Sequence, residues 1–72
     1  MKAKFKSAAA IFPKRLRELR TAAEMSQPAF ALAVGIGERS VRLYESGEIP
    51  PTLETLDSMA KVLGVQPADL IS

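Results

Sequence analysis

The segment SQPAFALAVGIGERSVRLYESG, residues 26–47, constrains the fold more than any other part of the chain. It reads as two short helices separated by a tight turn. Ser26 offers a side-chain oxygen to the exposed N–H groups of the first helix, and Pro28 falls in its first turn, where no internal N–H bond is lost. Phe30, Ala31 and Val34 then recur at helical spacing. Gly35 suits the left-handed residue that closes a helix, Ile36 is a single apolar anchor, and Gly37 leaves the next start unhindered. The second helix, Glu38 to Ser46, has Val41 and Tyr44 as its inward stripe and stops at Gly47.

The flanking sequence extends this reading to an all-α chain. Phe12, Leu16, Leu19 and Ala23 define a buried face on a first helix predicted from Pro13, a residue suited to the first helical position, to Glu24. After Gly47, Ile49-Pro50-Pro51 forces an extended connection, and Thr52 caps a helix over Leu53 to Leu63. Its buried stripe is expected to be Leu53, Leu56, Met59, Ala60 and Leu63, with Gly64 as the stop. Val65 and Pro67 open a fifth, short helix carrying Leu70 and Ile71. No strand pattern or internal repeat competes.

Seventy-two residues make one small domain with little surface to bury, and the chain has neither cysteine nor histidine to reinforce it. Disulfides, thiolate metal sites, imidazole bases and the nucleophilic triads that need them are excluded, so no cofactor, metal or catalytic residue is expected. Charge is unevenly spread. Residues 1–20 hold seven of the ten basic side chains against the single acid Glu18, and the remainder is net negative. Residues 1–10, with alternating lysines and little to bury, read as a flexible basic arm preceding a domain over 11–72. The apolar run before Pro13 is shorter than the roughly 7–15 residues of a signal-peptide core, and nothing approaches the ~18–20 of a membrane span. A cytoplasmic, nucleoid-associated protein without membrane contact is the expectation.

Four segments, RLRELR (15–20), SQPAFALAVGI (26–36), SVRLYESG (40–47) and PTLETLDSMAKVLGV (51–65), together resemble the helix-turn-helix family of phage Cro and CI repressors, also called XRE-like. The resemblance covers Phe12 to Ile71. It is specific because the Ser-Gln opening, the aromatic-Glu-x-Gly ending and the Leu-Gly-Val run agree in order and spacing.

The resemblance implies a compact five-helix bundle of the lambda-repressor-like type and a regulator that binds double-stranded DNA, as a homodimer on a palindromic operator. Arg20 and Glu45 match a structural clamp between helices, and Gln27 matches a phosphate-contacting glutamine. Glu38, Arg39, Arg42 and Leu43 match the outward positions of the recognition helix. Arg39 would bridge guanine O6 and N7, Arg42 a second base or a phosphate, and Leu43 a thymine methyl. Glu38 would accept from a cytosine N4 group, or else pair with Arg42. Ser40 and Lys14 are further phosphate candidates. Lys2, Lys4 and Lys6 would either track the DNA backbone or remain solvated.

Three features depart from the family pattern. The loop after helix 3 carries Glu48 where relatives are basic, Ala29 leaves the capping box at Ser26 incomplete, and Leu32 is apolar on an outer face. Leu32 and the pair Leu70-Ile71 are therefore candidates for a protein partner's surface. Glu38, Glu48 and the sparse positive charge beyond residue 20 leave open an interaction module that has lost DNA binding, and an antitoxin, which would keep this domain and add a protein-binding role, is a further alternative.

Overall fold

A computed structural model describes residues 7–72, in which every regular element is helical: α1 (Ala8–Ala22), α2 (Gln27–Val34), α3 (Glu38–Ser46), α4 (Leu53–Leu63) and a single 3-10 turn, Pro67–Leu70. Four α-helices and this turn replace the expected five helices. Four residues starting at a proline are too few for an α-helix to repay its nucleation, and Asp69 Oδ2 accepts from the Gln66 N–H at 2.9 Å to close the tighter turn.

α2, α3 and α4 begin and end where their caps predict. Ser26 Oγ accepts from the Ala29 N–H at 3.2 Å, and Thr52 Oγ1 from the Thr55 N–H at 3.1 Å. Gly35, at φ +89°, closes α2 in the left-handed region; its N–H and that of Ile36 both reach the Ala31 carbonyl. The α2–α3 turn is thereby held to three residues.

α1 differs from its sequence reading at both ends. It starts at Ala8 rather than Pro13, because Ser7 caps it, with Oγ accepting from the Ala10 N–H, and Ala8–Ala10 are strong helix formers. Pro13 lies inside the helix, where it leaves the Ala9 carbonyl without its usual donor. α1 ends at Ala22, and Glu24 takes the left-handed conformation, φ +60°, that turns the chain toward α2. Ala23, expected on the buried stripe, is consequently exposed.

Leu16, Phe30, Val41, Met59 and Leu70 form the fully buried centre, one from each element. Phe12 packs edge-on to Tyr44, with ring centroids 6.2 Å apart. Leu70, a candidate partner contact by sequence, is instead core. Leu53 reverses in the other direction, 81% exposed rather than buried, because the first position of α4 overhangs the core. Leu63 is half-buried against the same core. No helix among the described residues is long and apolar enough to cross a membrane.

Candidate nucleic-acid interface

The three-residue turn and the glycine at each end of α3 fix how this helix sits on α1 and α2. Val41, Tyr44 and Glu45 point inward. The 3.6-residue period then turns Glu38, Arg39 and Arg42 to solvent, and all three are exposed; Leu43 and Ser40 lie half-buried at the edges of the outward face.

Beneath that face lies the Arg20–Glu45 clamp. Arg20 Nε donates to Glu45 Oε2 at 2.5 Å and Nη2 to Oε1 at 3.0 Å, a paired, two-point contact between α1 and α3. Arg20 Nη1 also donates to the Met25 carbonyl at 2.8 Å, so the same guanidinium holds the α1–α2 turn. Only 1% of the Glu45 side chain is exposed. Burial pushes the Glu45 carboxyl pKa up, but hydrogen bonds from Arg20 and Gln27, with the charges of Arg20 and Arg17, outweigh it and hold the group below the usual carboxylate range. The Arg20 guanidinium is correspondingly held above its ordinary value by its hydrogen bonds to Glu45.

Gln27, read from sequence as a phosphate contact, belongs to this network: its Nε2 donates to Glu45 Oε1 at 3.1 Å. One amide hydrogen is thereby engaged. The rest of the side chain borders a shallow concavity that it shares with Arg17, Arg39, Arg42, Leu43 and Glu48. Glu38 and Arg42 pair with each other at 2.8 Å, one turn apart on α3, so the pairing foreseen as one of two roles for Glu38 forms in the free chain. Arg39 makes no ion pair or side-chain hydrogen bond among the described residues.

Lys14 borders a second hollow, with Arg17, Ser46 and Gly47. Lys2, Lys4 and Lys6 lie outside the described residues. Two residues without an assignment from sequence also emerge. Arg17 stands between the two hollows, and Arg15 reaches across the molecule to donate from Nε to the Asp69 carbonyl at 3.1 Å. The basic cluster of residues 14–20 was visible in the sequence, but which partner each cation meets depends on the folded arrangement. Among the described residues, no group of His, Cys, Asp or Glu side chains is arranged to hold a metal ion.

The helix-turn-helix family profile HTH_3 matches residues 16–70, which include every element except the first two turns of α1. The chain is 36% identical over 62 residues to the cryptic phage CTXphi transcriptional repressor RstR of Vibrio cholerae, a match covering 86% of this chain and 56% of the repressor. It therefore spans about half that relative's length. Its fold is similar to the restriction-modification controller protein C.AhdI from Aeromonas hydrophila, with a TM-score of 0.82, 34% identity, and 86% of this chain and 94% of that one covered. The hydroxypropylphosphonic acid epoxidase from S. wedmorenis contains a similar unit: the TM-score is 0.85 at 30% identity, over 94% of this chain but only 36% of the epoxidase. The extent of the family match and the order of capped helices lead to one assignment: the chain belongs to the helix-turn-helix family.

Proposed function

We propose that this chain is a DNA-binding transcription regulator whose α3 enters the major groove. The observation that carries the reading is the outward face of α3, where Arg39, with no ion pair among the described residues, stands beside Arg42 and Glu38 on a helix clamped from beneath by Arg20 and Glu45. A rigidly held helix presenting such side chains is what groove reading requires. The similarity to a transcriptional repressor and a controller protein supports the same reading, and the epoxidase shows that the fold alone would not suffice. Arg39 reads guanine, and Arg42 reads a second base or a phosphate. Glu38 accepts from cytosine, Leu43 meets a thymine methyl, and Gln27, Ser40 and Lys14 meet phosphates.

Regulation is by occupancy: a homodimer on a palindromic operator sets two copies of α3 about 34 Å apart in successive major grooves. An apolar hollow of about 360 Å³, lined by Phe12, Ile49, Pro50, Leu53 and Ile71 among others, supports dimerisation on the side of the α3–α4 connection. One arrangement favours a protein-interaction role instead. Glu48 is exposed beside the DNA face, and Glu38 already neutralises Arg42.

Fluorescence-anisotropy titration of random-sequence duplex, followed by selection of sites from a random pool, separates the two. Binding that weakens steeply with salt and a selected motif with two half-sites are expected; absence of binding even at about 50 mM salt would sink the DNA reading.

A further inference from the structure

We propose that Arg17 is a phosphate-binding residue of the DNA face, its fork directed outward by the buried Glu45. The inference rests on the DNA-binding reading above and adds to it a contact from α1.

Arg17 precedes Arg20 by one helical turn, and its Nε lies 3.7 Å from Glu45 Oε1. The two arginines differ in exposure: 14% of the Arg20 side chain is accessible and 65% of the Arg17 side chain. Arg20 already matches the single negative charge of Glu45 with two hydrogen bonds, and Gln27 takes a further site on Oε1. Arg17 is therefore a surplus cation. Glu45 attracts it without neutralising it, and its two Nη groups make no hydrogen bond among the described residues.

Its position directs that surplus. Arg17 borders the concavity that also holds Gln27, Arg39 and Arg42, and the neighbouring one that holds Lys14. Lys14 and Arg17, three apart on one face of α1, continue the positive surface of α3 onto the first helix. Among the described residues, the carboxylates bordering these hollows are Glu45, opposed by Arg20, and Glu48, beside the Ser46 hydroxyl at 3.0 Å. The loop after α3 carries that acid, and α1 supplies the cations Lys14 and Arg17 at this edge. The planar Nη pair suits two oxygens of one phosphate, and anchorage at Nε reduces the side-chain freedom lost on binding.

The test compares wild type, Arg17→Gln and Arg17→Lys by anisotropy on random and selected duplexes across a salt series, with melting curves recorded in parallel. Arg17→Gln should bind both duplexes about three- to tenfold more weakly at 100 mM salt and flatten the slope of log affinity against log salt by about one. Arg17→Lys should restore the slope, and the melting midpoints should stay within about 2 °C of each other, because Arg17 is itself exposed and Arg20 and Gln27 still hold Glu45 without it. Wild-type affinity and slope in Arg17→Gln overturn the role. So does a weaker affinity that merely follows a lower melting midpoint with the slope unchanged. A wild-type chain that binds neither duplex overturns the DNA-binding reading itself and this contact with it.

Discussion

Burying the Glu45 carboxylate carries a desolvation cost of several kcal/mol, offset here by donors from three side chains: Arg20, Gln27 and, more distantly, Arg17. Removing it should be severe. Glu45→Ala is expected to destabilise the fold by about 3 kcal/mol, the low end for a broken buried pair because Arg20 keeps some solvent access; denaturant unfolding measures this. A midpoint equal to wild type would dismiss the clamp. Acid should act through the same group. Its folded pKa is depressed, so its stabilisation is complete above the unfolded value of about 4.3 and is lost as pH falls toward the folded value. Glu45→Gln should therefore lose less stability than wild type over that acidic range, compared by melting at each pH. Arg39→Ala, by contrast, should leave folding intact and relax preference at one base by about 1–3 kcal/mol; an unchanged selected motif would refute its role.

Among the helices, legibility followed the density of local signals. α2 and α4 each begin at a hydroxyl cap and end at a glycine, and α3 lies between two glycines, so their limits could be read from neighbouring residues alone. α1 could not be read in this way. Pro13 has the character of a first helical residue, yet Ser7 and three alanines start the helix before it, and the proline ring lies against Gly47, where an added Cβ would make only ordinary contact, 3.4 Å from Pro13 Cγ. At the other end, Glu24 holds a left-handed backbone that costs a side-chain-bearing residue about 1 kcal/mol or more. Glu24→Gly should thus stabilise the domain by about 0.5–1 kcal/mol, despite the greater freedom glycine gives the unfolded chain. An unchanged or lower thermal midpoint would show that the turn carries no such strain.

Taken as a whole, the molecule buries one side chain from each element at a common centre and leaves Leu53 and Ile71 beside the apolar hollow. Periodicity alone misplaced Leu53, because a stripe records which residues share a face and not how far the neighbouring helices reach along it. The outward face of α3 was legible, since Val41 and Tyr44 fix its orientation. The engagement of Gln27 with Glu45 and the places of Arg15 and Arg17 were not, since these cations and amides meet partners 18 to 54 residues away. If the hollow is the dimer surface, Leu53→Asp should lower the mass seen by sedimentation equilibrium and weaken operator binding, without lowering the melting midpoint of the dilute protein. An unchanged mass would place the subunit contact elsewhere.

The bond from Arg15 to the Asp69 carbonyl joins the first helix to the last turn. The α2–α3 pair is assembled from residues close in sequence, whereas this latch joins residues 54 apart, so it belongs late in folding. During synthesis, α1, α2 and α3 can meet as soon as they leave the ribosome. Leu70, whose side chain fills the centre, is by then still held inside the exit tunnel. Until it emerges, the nascent chain exposes an unfilled apolar cleft, and the time spent in that state, rather than the stability of the finished domain, sets its exposure to chaperones and proteases.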